Sequence, residues 1–118
     1  AERLCKRSGH LLSKMRYVSA QLLAYVENDN WLEMAGHANR QAAKFAEAVE
    51  NHAEARLEYP VQANEVFLNW TKEGFDHLAS QGIQFQMWPG RDDLARFVFG
   101  HSTNNEEVGL LIATLTVA

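Results

Sequence analysis

The segment from Ile83 to Phe99, IQFQMWPGRDDLARFVF, decides the fold. Apolar and polar residues alternate on both sides of its Pro-Gly-Arg-Asp-Asp centre, and a period of two is typical of β-strands. Pro89 and Gly90 are residue types that turns favour. The segment therefore predicts a β-hairpin, with one strand over residues 83–88 and the other over residues 94–99.

Two further strands and a short helix precede this hairpin. Alternating apolar residues predict strands over residues 55–59 and 66–70. Thr71 can then cap a short helix, and Gly82 suits the left-handed conformation that ends many helices. The expected order of elements in this part of the chain is therefore strand, strand, helix and hairpin.

Longer helices flank the strands. Apolar residues at intervals of three and four predict a well-buried helix over residues 10–26 and a second helix over residues 30–52, which together form an αα-hairpin. After the last strand, Thr103 and Glu106 predict a capping box. The amphipathic helix expected to follow it has its apolar residues at Val108, Leu111, Ile112 and Leu115.

The predicted order is α-α-β-β-α-β-β-α, which indicates an α+β fold. Strands and helices that are segregated in this way favour a small, mostly antiparallel four-stranded sheet covered by helices. Residues 1–53 would form the helical hairpin and residues 54–118 the α+β subdomain. A length of 118 residues with 47% apolar content is enough for one core, so residues 1–118 are expected to form a single domain.

Composition excludes several classes of function. The formal charge is −4 and the basic residues are scattered, so no nucleic-acid partner is expected. The apolar runs are shorter than the roughly 20 residues of a membrane span, so no membrane partner is expected either. A single cysteine, Cys5, fits a reducing cytoplasm. The chain starts without Met or a signal-like apolar stretch, which suggests the interior of a longer protein.

Three stretches resemble one enzyme family. They are KRSGHLLSKMR at residues 6–16, PVQANEVF at residues 60–67 and RFVFGHST at residues 96–103. In this order and spacing they are similar to the C-terminal small domain of the low-specificity threonine aldolases, pyridoxal-phosphate enzymes of the aspartate aminotransferase-like fold type I. The resemblance implies a larger parent enzyme that cleaves a β-hydroxy-α-amino acid, such as threonine, to glycine and acetaldehyde.

Arg96 is the first candidate site residue. Ala95, Phe97 and Phe99 take the core face of the predicted strand, so Arg96 points to the opposite face. A guanidinium at such a place can bind a carboxylate through two parallel hydrogen bonds. The pattern alone favours a solvated arginine, whereas the resemblance implies that Arg96 binds the carboxylate of the amino-acid substrate.

A basic cluster lies at the start of the chain and consists of Lys6, Arg7, Lys14 and Arg16. The resemblance implies that these side chains contact the cofactor phosphate or a neighbouring subunit. Without the resemblance, a solvated group of charges is the better interpretation.

No catalytic residue is expected within this chain. Thr71-Lys72-Glu73-Gly74 superficially resembles the motif around the cofactor lysine of the family, but its position after two helices and two strands predicts an ordinary first turn of a helix. The resemblance places the cofactor lysine upstream of Ala1, so the isolated chain is expected to be inactive and not to bind pyridoxal phosphate by itself. The five histidines share no metal-ligand spacing, so no metal site is expected.

The resemblance also implies partners. The parent would contain its own N-terminal large domain and would assemble as a homodimer or homotetramer. Two alternatives stay open at this point. One is a different pyridoxal-phosphate lyase, such as a β-eliminating enzyme, with the same small domain. The other is a stand-alone α+β module for dimerisation or regulation that binds no cofactor.

Overall fold

The computed structural model describes residues 2–9 and 14–117, and contacts divide the chain into two compact units, residues 1–33 and 34–118. The helices are α1 (Glu2–Arg7), α2 (Met15–Val26), α3 (Asn30–Glu50), α4 (Lys72–Ser80) and α5 (Asn105–Val117), with a 3-10 helix at Glu27–Asp29. The strands are β1 (Arg56–Leu57), β2 (Glu65–Asn69), β3 (Gln86–Met87) and β4 (Leu94–Val98). The predicted α+β class and element order are confirmed, with α1 as an added element.

The four strands form one antiparallel sheet in the order β1-β2-β4-β3. The predicted hairpin is confirmed, because Gln86 pairs with Arg96 and Met87 pairs with Ala95. Strand β3 is shorter than predicted. The Ile83 N–H donates to the Leu78 carbonyl at 3.2 Å, so the start of this segment belongs to the turn that ends α4.

The inner face of the sheet carries the core of the second unit. Val66, Leu68, Ala95 and Phe97 are buried on this face, as alternation predicts. The Phe45 ring of α3 lies 5.0 Å from the Phe97 ring. Helices α3, α4 and α5 add further buried residues to the same core. These are Ala42 and Val49 of α3, Phe75 and Leu78 of α4, and Val108, Leu111 and Leu115 of α5. The helices thus cover one sheet face.

The end of α3 differs from the prediction. The helix ends at Glu50, so His52 lies beyond it instead of inside it. The His52 Nδ1 accepts hydrogen bonds from the N–H groups of Glu54 at 3.1 Å and Ala55 at 2.9 Å. Because a side chain satisfies these backbone donors, the chain can leave the helix and enter β1 without leaving them unpaired.

The capping box of α5 is one residue later than predicted. Glu107 N–H donates to Asn104 Oδ1 and Asn104 N–H donates to Glu107 Oε2, both at 2.9 Å. The predicted cap, Thr103, is engaged elsewhere, since its Oγ1 accepts from the Gly100 N–H at 2.9 Å. The prediction of a capped helix was right, and its register was wrong.

Helix α2 of the first unit is exposed, so the prediction of a well-buried first helix is wrong. Within the described residues, α2 has no buried residue, and Leu22 is 62% exposed. The other exposed large apolar side chains of this unit are Leu4, Met15, Tyr17, Val18, Leu23, Tyr25, Val26, Trp31 and Leu32. Leu11 and Leu12, which the prediction placed on the same stripe, fall outside the described residues. The helical period was read correctly, but it does not reveal what covers the apolar face.

The helices within residues 2–9 and 14–117 include none that is both long enough and apolar enough to cross a membrane.

Candidate functional site

Arg96 lies on the outer face of the sheet, on the middle one of three neighbouring strands. Arg96 lies on β4, directly opposite Phe67 of β2 on one side and Gln86 of β3 on the other. Its side chain is 34% exposed. Hydrogen bonds to β2 and β3 hold β4 on both sides, so the backbone that carries the Arg96 side chain is fixed in position.

The guanidinium of Arg96 is only partly satisfied. Its Nη2 donates to Gln86 Oε1 at 2.6 Å, and its Nη1 lies 3.7 Å from Glu65 Oε1. Its Nε is buried and has no hydrogen-bond partner among the described residues. Since about a third of the side chain is exposed, an incoming acceptor can reach the accessible part of the guanidinium, whereas the buried Nε is covered by neighbouring atoms.

Aromatic rings lie beside this arginine. The Phe67 ring makes edge-to-face contacts with Tyr59, at 5.4 Å between centroids, and with Trp88, at 5.5 Å. Tyr59 is 55% exposed and Trp88 is 44% exposed, so the row forms part of an accessible surface. A charged group next to apolar rings is less well hydrated, which strengthens its interaction with an oppositely charged ligand.

A polar network borders the site at the turn before β4. Arg91 binds the Asp93 carboxylate through two nitrogens, with Nη2 at 2.8 Å from Oδ2, and its Nη1 lies 3.4 Å from Glu58 Oε1. The Asn69 amide donates to Glu58 Oε2 at 3.1 Å and to Asp93 Oδ2 at 3.3 Å. The Arg91 guanidinium lowers the pKa of Asp93. The network ties the turn to β2 and to the segment after β1.

Lys72 is held as an ammonium ion. Its Nζ lies 2.6 Å from Asp76 Oδ2, and this contact raises the pKa of Lys72. A lysine that attacks a carbonyl group has to be a neutral amine, so the contact opposes a nucleophilic role. Its position at the start of α4 agrees with the prediction of a first-turn residue.

The glycine of the same motif has a packing role. A Cβ at Gly74 would lie 2.5–2.6 Å from three atoms of the Trp70 ring. Thr71 caps α4, because its Oγ1 accepts from the Gly74 N–H at 3.1 Å. The Thr-Lys-Glu-Gly sequence is therefore explained by the way α4 begins and packs.

The basic cluster lies in the first unit and is exposed. Lys6 and Arg7 occupy the last turn of α1, and Lys14 directly precedes α2 with a φ of 62°. The Arg16 guanidinium lies 5.0 Å from the centroid of the Tyr17 ring. Residues 10–13 of this stretch fall outside the described residues. The predicted contacts of the cluster with a cofactor phosphate or a subunit boundary stay predictions.

The described histidines that make side-chain hydrogen bonds serve the fold. The His37 Nε2 lies 2.6 Å from the Thr103 carbonyl oxygen, which ties α3 to the segment before α5. His52 accepts the two N–H groups beyond α3. Across residues 2–9 and 14–117, no three His, Cys, Asp or Glu side chains are grouped so that they could hold a metal ion.

Sequence reasoning missed Gln86 and Glu65 as partners of Arg96. The signal for Gln86 was present, because a hairpin over residues 83–99 brings the two strands opposite each other. Only the register decides which residue of β3 faces Arg96, and that register is set by the conformation of the turn, which residue types alone do not fix.

Comparison with known proteins gives two curated relatives, whereas no protein-family model matches the chain. The low specificity L-threonine aldolase of Pseudomonas aeruginosa is 38% identical over 104 residues, which are 88% of this chain and 30% of that protein. The enzyme of the same name from Pseudomonas sp. strain NCIMB 10558 is 34% identical over 111 residues, which are 94% of this chain and 32% of that protein. The chain spans about a third of the length of these relatives.

Solved structures share the fold. The threonine aldolase of Leishmania major matches with a TM-score of 0.83 at 20% identity, over 97% of this chain and 34% of that one. The cystine C–S lyase C-DES matches with a TM-score of 0.61 at 16% identity, over 71% of this chain and 24% of that one. The architecture is that of fold type I pyridoxal-phosphate enzymes. Over about nine-tenths of its own length the chain is a homologue of the low specificity L-threonine aldolases, by its identity to the two curated relatives.

Proposed function

We propose that this chain is the C-terminal small domain of a low-specificity threonine aldolase, a pyridoxal-phosphate-dependent aldehyde-lyase. The parent would cleave L-threonine or allo-threonine to glycine and acetaldehyde. Sequence identity to two threonine aldolases supports the family part of this proposal. The observation that carries the chemical part is the placement of Arg96 on the outer sheet face, where its partly exposed guanidinium has one short hydrogen bond to Gln86 and a longer contact with Glu65.

Arg96 would bind the α-carboxylate of the amino-acid substrate. A carboxylate that reaches the exposed part of the guanidinium would gain a charge-assisted hydrogen bond. The central position of β4 would keep that contact in a fixed geometry, so the carboxylate would orient the bonds at Cα. Arg96 would act by binding and orientation, and it would transfer no proton.

Pyridoxal phosphate, when bound to the parent, supplies an electron sink for the charge that develops at Cα. Lys72 does not suit the role of the cofactor lysine, because its ammonium group is ion-paired with Asp76. As the family resemblance implies, the lysine that carries the cofactor would lie upstream of this chain, and the isolated chain would be inactive. Lys6, Arg7, Lys14 and Arg16 would contact the cofactor phosphate or a subunit boundary.

The exposed apolar side chains of the first unit support an assembled parent. Apolar patches of this kind usually mark surfaces that another protein part covers. Leu22 and Val26 of α2 are 62% and 55% exposed. We propose that this surface packs against the large domain of the parent or a neighbouring subunit of a cytoplasmic homodimer or homotetramer.

The test uses the full-length parent enzyme, with glycine and acetaldehyde release as the assay. Arg96→Met should raise KM for threonine by about 10-fold to 100-fold, since a hydrogen bond to a charged group contributes about 1.5–3 kcal/mol. Arg40→Met is the matched control, because Arg40 is an exposed arginine of α3. An Arg96→Met enzyme with the KM of the wild type would refute the carboxylate-binding role.

A second candidate is a different pyridoxal-phosphate lyase. It is favoured by the shared fold of the cystine C–S lyase C-DES, which matches with a TM-score of 0.61. Product analysis separates the two reactions. Retro-aldol cleavage releases an aldehyde and glycine, whereas β-elimination releases ammonia and an α-keto acid. Release of ammonia and an α-keto acid without any glycine would favour this second candidate.

A further inference from the structure

We propose that Gln86 is a positioning residue that holds the Arg96 guanidinium through a neutral acceptor and leaves its charge available to a carboxylate. This inference rests on the proposed role of Arg96. It concerns a residue that does not itself touch the substrate. Three properties of the pair support it: the register of the sheet, the hydrogen-bond geometry and the charge of the acceptor.

The register brings Gln86 and Arg96 together. Strand β3 contains only two residues, and its first residue pairs directly with Arg96. Side chains opposite each other in an antiparallel pair have Cβ atoms about 4.5–5.5 Å apart, which is within reach of a glutamine and an arginine. The ladder therefore places the amide of Gln86 beside the guanidinium.

The hydrogen bond between them is short. Gln86 Oε1 accepts from Arg96 Nη2 at 2.6 Å, whereas the nearest Glu65 oxygen lies 3.7 Å from Nη1. Gln86 is thus the closer of the two partners. With Nη2 held from the β3 side, the guanidinium cannot rotate freely and keeps its orientation on the outer face of the sheet.

The acceptor at position 86 carries no charge. An amide oxygen can hold an N–H group without forming an ion pair, so Gln86 adds no negative charge to that of the Glu65 carboxylate, which lies 3.7 Å from Nη1. A carboxylate at the same place would hold the arginine at least as strongly, but it would compete with an incoming anion. A glutamine therefore combines orientation with retained charge.

Kinetics of the full-length enzyme test this idea with two variants and a control. Gln86→Met keeps the length of the side chain and removes the acceptor, and it should raise KM for threonine about 3-fold to 10-fold with kcat changed less than about 2-fold. Gln86→Glu should raise KM at least as much, because it keeps an acceptor but adds a competing charge. Gln84→Met is the control, because Gln84 is exposed and lies two residues before Gln86 in the same segment.

The outcomes separate this inference from the proposed function. If Arg96→Met raises KM and Gln86→Met does not, only the positioning role is wrong. If Gln86→Glu has the KM of the wild type, the requirement for a neutral acceptor is wrong. If Arg96→Met leaves KM unchanged, the carboxylate role of Arg96 is wrong, and this inference is wrong with it.

A second measurement uses the 118-residue chain and needs no activity. Nitrogen-15 relaxation of the Arg96 Nε–H group should show greater mobility in Gln86→Met than in the wild type. Gln86→Glu and Gln84→Met should leave that mobility unchanged. An Arg96 side chain that is as ordered in Gln86→Met as in the wild type would overturn the positioning role.

Discussion

Replacing Gly74 with alanine tests how tightly α4 packs on the core. Glycine inside a helix is ordinarily about 1 kcal/mol less stable than alanine, so the local effect of the substitution is favourable. The added Cβ, however, would lie 2.5–2.6 Å from three ring atoms of Trp70. Carbon atoms in contact normally lie about 3.5–4.0 Å apart, so the overlap would be roughly 1 Å.

Trp70 has little room to move away. It is 4% exposed, and its ring makes edge contacts with His52 at 5.3 Å and Phe75 at 6.1 Å. Overpacking of a buried site costs about 1–3 kcal/mol, and an overlap with three ring atoms belongs at the upper end. After subtraction of the helix-propensity gain, Gly74→Ala should lose about 2 kcal/mol of unfolding free energy.

Urea unfolding of the 118-residue chain, followed by tryptophan fluorescence, measures the effect. Gly109→Ala is the matched control, since Gly109 lies inside α5 and a Cβ there would meet nothing within 4 Å. That control should gain about 0.5–1 kcal/mol. The reasoning is refuted if Gly74→Ala is as stable as Gly109→Ala at equal slopes of the two unfolding curves.

The remaining predictions concern acid stability, the turn after α3 and the charge beside the candidate site. Arg91 lowers the pKa of Asp93 from 3.8, so the stabilisation is present above about pH 4 and is lost as pH falls through the lowered value. The difference in unfolding free energy between wild type and Asp93→Asn should therefore shrink in acid, and a constant difference would contradict it. His52→Ala removes the acceptor for two N–H groups and should cost about 1–2 kcal/mol in urea unfolding; an unchanged midpoint would contradict the turn role. Glu65→Gln removes the carboxylate 3.7 Å from Arg96 and should lower KM for threonine about 2-fold to 5-fold in the full-length enzyme, whereas a higher KM would show that Glu65 helps to hold the arginine.

Local periodicity predicts most of the second unit. A period of two is a property of neighbouring residues, so it assigns Phe97 to the core face and Arg96 to the opposite face without any knowledge of packing. The structure confirms both, with Phe97 buried and Arg96 on the outer face. The turn after α4 is also predictable, because Gly82 has a φ of +80° and few other residue types adopt that value easily.

Local sequence does not decide the cap of α5 or the burial of α2. Thr-Asn-Asn-Glu-Glu at residues 103–107 offers two registers for a capping box, and the interaction of Thr103 with Gly100 selects the later one. The apolar stripe of α2 identifies a face, but the partner of that face is set by contacts that a helix period does not contain.

The family resemblance identifies Arg96 of the candidate site, whereas its neighbours are identified only from the structure. Arg96 stands out because its surrounding sequence resembles a family motif. Gln86 and Glu65 become visible only from the pairing of β4 with β3 and β2, which is a non-local property of the chain. The assignments of Lys6, Arg7, Lys14 and Arg16 to a cofactor phosphate or a subunit boundary depend on the proposed parent enzyme, and they stay predictions.

The sheet has its long strands inside and its short strands outside. β1 and β3 contain two residues each, and the Arg56 guanidinium pairs with carbonyl groups of the turn just before β1, those of His52, Ala53 and Ala55. An edge this short offers too few free N–H and C=O groups to template the addition of a foreign strand. The chain therefore carries its own protection against edge-to-edge aggregation, and the strand that holds Arg96 is kept away from strand exchange.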